Sequence, residues 1–193
     1  MILVVGRPGL DAGGHIDRAA GWAATAAAAA GARVEIVGSI GDDSNGDAVI
    51  VALGRAGIGH AALLRDPAAA TPTSSSSTAS LPRLDASDVE LGLRYLPECH
   101  VLVLAEPLAQ DARRVASAAA AYHGAPLIVV LDAGQGPLED LPDSATQLAS
   151  PDGDSAAFAA LVGRYAAALE AGRSAPDAWH DALAGSGWEE SGE

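Results

Sequence analysis

The chain has 193 residues, with 25 acidic and 11 basic side chains, a formal net charge of −14 and a pI near 4.5. Such an acidic surface repels phosphate backbones and anionic headgroups, so no nucleic acid and no membrane is expected among its partners, and the charge serves mainly solubility. All 11 basic residues are arginine, which excludes a Walker-type phosphate loop and Schiff-base chemistry, since both need a lysine.

Met1–Gly6 (MILVVG) is a short continuous apolar run that suits a buried parallel strand. It lacks a basic n-region, so it reads as a strand and not as a signal peptide, and a cytoplasmic location is expected. Arg7–Gly14 is a glycine-rich loop, Ile16–Ala30 a helix ended by Gly31, and Arg33–Gly38 a second buried strand. Hydrophobic residues make up 49% of the chain and aromatics only 4%, so Ala, Val and Leu must fill the core.

Asp43–Ala56 reads as a helix stopping at Gly57, and His60–Leu64 as a short strand. Between the second strand and this helix lies Gly41-Asp42-Asp43-Ser44-Asn45-Gly46-Asp47. An EF-hand loop needs oxygen ligands at positions 1, 3 and 5 before its glycine. Counting back from Gly46 puts Gly41 at position 1, and Ala52 stands where the bidentate Glu belongs, so calcium is not supported. The spacing G-x-G-x-x-G of a dinucleotide fingerprint is also missing. Turn and cap chemistry alone could explain the acids and glycines, and a wall of a small-molecule pocket remains the alternative.

Residues 66–83, DPAAATPTSSSSTASLPR, hold four consecutive serines between prolines and read as a flexible loop. Asp85–Tyr95 is a helix with Asp85-Ala-Ser-Asp88 as its capping region. Val101–Leu104 is a strand, Leu108–His123 a helix, Leu127–Leu131 a strand running into Asp132, and Gln147–Ser150 a last short strand. Asp154–Ala171 and Ser174–Ala184 are the final helices, and residues 189–193 form a disordered tail, with Trp188 docked before it. Cys99 is alone, which excludes a disulfide framework and a cysteine metal site. The five histidines show no i, i+4 pair.

Strands alternating with helices predict one α/β domain over residues 1–188, a three-layer α/β/α sandwich with a mainly parallel sheet. Ligands of such sheets bind at the carboxyl ends of the strands. Asp11, Glu106 and Asp132 fall at or just past those ends.

Several stretches resemble the ribokinase-like (PfkB) family of sugar and nucleoside kinases. VVGRPGLDAGG is similar to the family's first strand, with Asp11 five residues after Gly6. SIGDDSNGDAVIVALGRAGI carries Gly41, Asp42, Asp43, Gly46 and Gly57 in register with the family's Gly-x-Gly-Asp-Asp signature. VLVLAEPL resembles the strand ending in Glu-x-Pro, LIVVLDAG the strand ending in Asp132, and SPDGDSAAFAALVG the Pro-Asn-x-x-Glu segment. The resemblance implies phosphoryl transfer from ATP to a sugar or nucleoside hydroxyl, with Mg and ATP as cofactors. Asp11, Gly41, Asp42, Asp43 and Glu106 would hold substrate, Asp152 and Asp154 would hold Mg, and a homodimer is possible.

The departures from the family are large. Trp22 stands at the family's sugar-binding Asn, and Arg18-Ala19-Ala20 where it has Gly-Gly. Asp152 and Ser155 replace the Asn and Glu of Asn-x-x-Glu. The β-lid is missing, the nucleotide region is shortened, and no stretch matches Gly-Ala-Gly-Asp, whose glycines build an anion hole and whose Asp is the general base. Asp154 is the nearest surrogate for that base. These losses imply weak or absent catalysis, and the alternative is a non-catalytic relative that binds a small polyol, sugar, nucleoside or protein partner.

Overall fold

The computed structural model describes residues 1–74 and 81–185. The elements are β1 (Ile2–Val5), β2 (Gly9–Leu10), β3 (Ile16–Asp17), α1 (Arg18–Ala29), β4 (Val34–Gly41), α2 (Ser44–Arg55), β5 (Gly59–Asp66), α3 (Ala86–Arg94), β6 (Val101–Leu104), α4 (Gln110–His123), β7 (Leu127–Leu131), β8 (Thr146–Ala149), α5 (Ser155–Glu170) and α6 (Ala175–Ala184). Six strands form one sheet in the order β5-β4-β1-β6-β7-β8, and every pairing is parallel. β1, β6 and β7 are buried at every position. Both of their faces are covered, which is why they read as continuous apolar runs.

Alternate residues of the strands feed two cores. Ile2, Val4, Ile36, Val103 and Ile128 pack against α1, α2, α5 and α6. Leu3, Val5, Val37, Leu102 and Val129 pack against α3 and α4. The result is the expected α/β/α sandwich. Small residues make the layers close: Ala20, Ala23, Ala24 and Ala27 of α1 are all buried, and α5 lies along them. Asp85 closes a capping box on α3, accepting from the Ser87 and Asp88 amides while Asp88 reaches back to the Asp85 amide.

The structure departs from the sequence expectations at three places. Ile16 and Asp17 pair antiparallel with Leu10 and Gly9, so α1 begins at Arg18 and a two-residue hairpin fills the stretch expected to be loop and first helical turn. β4 and β5 each run eight residues, longer than expected, because their ladder continues to Gly41 and Asp66. Residues 66–74 of the expected flexible loop are tied down: the Leu10 amide donates to Pro72 O, the Ser74 amide to Leu10 O, and the Arg83 amide to the Asp66 carboxylate. The serine run beyond Ser74, Trp188 and the expected tail at 189–193 lie outside the described residues. Among the described residues no helix is long and apolar enough to cross a membrane.

Candidate active site

From β1 the chain steps outward to β4 and β5, then returns to the other side of β1 with β6, β7 and β8. The order reverses between β1 and β6, so the crevice at their carboxyl ends is the place where this fold binds ligands. A cleft of about 440 Å³ opens there, lined among others by Asp17, Arg18, Trp22, Glu106, Asp132 and Ser155. Two larger hollows, of about 590 and 620 Å³, lie between α3 and α4 and between α1, α2 and α5. Both are lined mainly by apolar side chains, whereas the crevice gathers convergent polar groups, the mark of a ligand site.

Glu106 follows β6 and Arg7 follows β1, so the two side chains meet at the reversal. Arg7 Nη1 donates to Glu106 Oε1, and Arg7 Nε donates to Pro82 O. Both side chains are largely buried, at 13% and 15% exposure. Burial pushes the Glu106 carboxyl above the usual range, and the Arg7 and Arg18 guanidiniums pull only part of the way back. Asp132 follows β7, is exposed, and its amide donates to Gln135 Oε1.

Asp17 and Arg18 enter the cleft from the hairpin and the first turn of α1. Asp17 is buried, yet its side chain makes no cap hydrogen bond. Arg18 has φ of +71°, the one described non-glycine residue with positive φ, in a left-handed region that side-chain-bearing residues rarely occupy. It falls where the family resemblance places Gly-Gly, so the backbone adopts a conformation natural to glycine while carrying a guanidinium. Its Nε is buried without a partner.

The Gly-Asp-Asp turn does different work. Asp43 caps α2: its Oδ1 accepts from the Gly46 amide at 2.8 Å and the Thr71 hydroxyl at 2.7 Å, and its Oδ2 from the Thr71 amide at 2.9 Å. Burial pushes the Asp43 carboxyl up, but the hydrogen bonds from Thr71, Gly46 and Asn45 outweigh it and hold it below the usual range. A Cβ on Gly41 would come within 2.4 Å of the Thr71 amide nitrogen, so only glycine admits the 69–71 segment here. Asp42 is exposed and pairs with Arg65 at 3.2 Å. Gly41 and Asp43 clamp a segment whose end, Ser74, forms part of the cleft wall.

Asp11 sits at the hairpin tip. Its Oδ1 accepts from the Gly13 and His15 amides, both at 2.8 Å, and these bonds, with His15 beside it, hold its carboxyl below the usual range. It does not line the cleft. Asp152 and Asp154 lie on the turn into α5, where Gly153 has φ of +107° and Asp154 Oδ1 accepts from the Ala157 amide at 3.0 Å. Ser155, the first residue of α5, lines the cleft. A 16-residue helix therefore presents its N-terminus beside Glu106 and Arg18, and such termini favour anions.

Of the residues expected from sequence, the cleft gathers Glu106, with Asp132 beside it and the Asp152–Asp154 turn at its rim. Gly41, Asp42 and Asp43 stand behind it and Asp11 outside it. Sequence reasoning did not single out Asp17, nor Arg18 as a ligand group. The weak signal was an Asp-Arg pair directly before an alanine-rich helix.

Among the described residues no three His, Cys, Asp or Glu side chains come together as a metal cage. Magnesium, however, commonly takes only one or two carboxylates, with phosphates and waters completing its shell. The Asp152–Asp154 turn carries two carboxylates, two residues apart, at the start of α5.

No family model and no curated protein matches the sequence. The fold, however, superposes on solved structures. The ribokinase of Arabidopsis thaliana in complex with ribose and ATP superposes with a TM-score of 0.68 at 14% identity, over 95% of this chain and 90% of that one. An E. coli protein, by assignment a Ribokinase II, in complex with ATP and Mg²⁺ gives 0.70 at 12% identity, over 94% and 89%. The ribokinase of Cryptococcus neoformans with ADP gives 0.63 at 15%, over 94% and 91%. The chain has the ribokinase-like fold.

Proposed function

We propose that this ribokinase-folded chain is a carbohydrate kinase of low turnover, which transfers the terminal phosphoryl group of ATP to a hydroxyl of a sugar or nucleoside. The observation that carries the reading is the turn Gly153-Asp154 at the N-terminus of α5, at the rim of the reversal cleft. Gly153 holds a left-handed φ, the helix terminus offers free amides, and a carboxylate stands at its cap. That is the chemistry which an anion hole with an adjacent base requires. The ligands of the solved relatives, ribose with ATP in one and ATP with Mg²⁺ in another, support the same substrates here.

In this reading the substrate hydroxyl oxygen attacks the terminal phosphorus, its proton passes to an Asp154 carboxylate oxygen, and the bond to the leaving ADP oxygen breaks. The α5 amides and the Arg18 guanidinium stabilise the charge on the transferred group. Magnesium bound with the nucleotide would neutralise phosphate charge, and Asp152 and Asp154 are the carboxylates placed to hold it. Glu106, fixed by Arg7, orients the acceptor substrate.

A second reading, a non-catalytic sugar or nucleoside binder, is favoured by one observation: the Asp154 carboxylate is already engaged by the Ala157 amide. The two readings separate in an assay of Mg-ATP-dependent phosphorylation across pentoses, hexoses and nucleosides. The proposal expects turnover that falls about 10²–10⁴-fold in Asp154→Asn. Sugar binding with no turnover in the wild-type chain would leave the binder.

A further inference from the structure

We infer that the groove between α3 and α4 is the face on which two copies of this chain pair, in a two-fold arrangement that seats Tyr122 of each copy in the hollow of the other. The groove lies toward the carboxyl ends of both helices, at Arg94, Tyr122 and His123. The reversal cleft lies at the carboxyl ends of the strands, and helices that connect parallel strands run the opposite way. The pairing face and the cleft are therefore at opposite ends of the sheet, and the inference does not rest on the kinase reading.

The hollow has a physical origin. α3 is drawn down onto the sheet at Gly92, where an added Cβ would stand 2.6 Å from Val37 Cγ1. α4 faces the groove with Val115, Ala118 and Ala119. Side chains this small leave about 590 Å³ open above the buried Leu3, Leu96 and Cys99. A knob stands beside this hole. Tyr122 lines the rim, is 86% exposed, and is set edge-on against the His123 ring with centroids 5.1 Å apart. Leu91, Tyr95 and Tyr122 are three of the four large hydrophobic side chains exposed among the described residues, and all three belong to α3, its C-cap and α4. A knob and a hole on one face are what a two-fold contact needs, because each copy then gives what it receives. Tyrosine and arginine are also the side chains that most often anchor interfaces.

Charge points to a second copy as the occupant. The chain carries a formal net charge of −14, so two copies repel over most of their surface. The charged and titratable lining of the hollow is Glu90, Arg94 and His123, and there acid and base balance. Glu90 and Arg94 stand four residues apart on α3, in the order that favours an ion pair along a helix. Among the described residues, however, neither side chain makes an ion pair or a hydrogen bond, and both are exposed. A two-fold partner brings an arginine to Glu90 and a glutamate to Arg94, and these two equivalent pairs fix the register of the contact.

The test is sedimentation equilibrium of the whole chain, from about 1 to 300 µM. The expected result is a reversible equilibrium between 19.1 kDa and twice that mass, with a dissociation constant of roughly one to a hundred micromolar. Tyr122→Ala should weaken it by roughly a hundredfold or more, since a symmetric contact loses two anchors at once. Glu90→Arg and Arg94→Glu should each weaken it roughly tenfold, and the double swap should return it to within about threefold of wild type. All three positions are exposed, so each dilute variant should melt as the wild type does, which separates loss of contact from loss of fold. A chain that stays monomeric at the highest concentration overturns the inference and leaves the groove to another occupant. So does a dimer indifferent to Tyr122→Ala, or a double swap that pairs no better than the single ones.

Discussion

Replacing Gly163 with alanine sets two physical effects against each other. Gly163 lies inside α5 and is buried against α1. An added Cβ would stand 2.1 Å from the Ala23 carbonyl oxygen and 3.1 Å from Ala23 Cα. Contacts of this kind need about 3 Å or more, and the obstacle is backbone, so α5 must move away from α1. Overpacking of a close-fitted core costs about 1–3 kcal/mol, and a backbone obstacle belongs at the upper end. Against it, alanine is about 1 kcal/mol better than glycine inside a helix. The balance is a loss of about 2 kcal/mol, which for a domain of this size lowers the melting temperature by about 4–8 °C. Thermal unfolding followed by circular dichroism measures it. Gly136→Ala is the control, since nothing lies within 4 Å of its added methyl. A Gly163→Ala chain that melts at or above wild type would mean that helix propensity wins, and would refute the close α1–α5 seam that places the N-terminus of α5 at the cleft.

Two further predictions concern titrating groups. The folded-state carboxyl of Asp43 is depressed, so its contribution is present above the unfolded value of about 3.9 and is lost as pH falls through the lower folded value. Asp43→Asn should lower stability at neutral pH by about 1–2 kcal/mol and flatten the fall of melting temperature below about pH 4; an unchanged acid limb would contradict the clamp on Thr71. Burial pushes the Cys99 thiol up to about 11, so it is protonated and inert at neutral pH. A disulfide reagent should modify it only at the rate of unfolding, and rapid stoichiometric labelling of the native chain would contradict its burial.

Much of the fold is legible in the sequence because the signals are local. LVV, VLVL and LIVVL are apolar at every position, and only a strand covered on both faces needs that. Asp85 and Asp88 announce the start of α3, and Gly31, Gly57 and Gly124 follow their helices with positive φ. Glu106 is legible for the same reason, since it stands two residues past the end of a buried strand. What fails is whatever depends on long-range pairing. Ile16 reads as a helical residue but pairs with Leu10, and that pairing carries Asp11 to the hairpin tip, away from the cleft. Asp43 reads equally well as cap or pocket wall until Thr71 arrives from 28 residues away. The strained dihedral of Arg18 has no sequence signature for a non-glycine residue. Gly153-Asp154 gains its meaning only once α5 is seen beside the reversal of the sheet.

The central claim is that the N-terminus of α5 and the reversal cleft together accept a nucleotide's phosphates. Calorimetric titration with Mg-ATP tests it most directly. The account predicts saturable binding with a dissociation constant of about a millimolar or tighter, at least −4.1 kcal/mol, weakened when Gly153 is replaced by alanine and its left-handed turn is strained. Absence of any heat of binding at several millimolar Mg-ATP, with and without a sugar, would contradict the claim and leave a ribokinase-shaped binding protein.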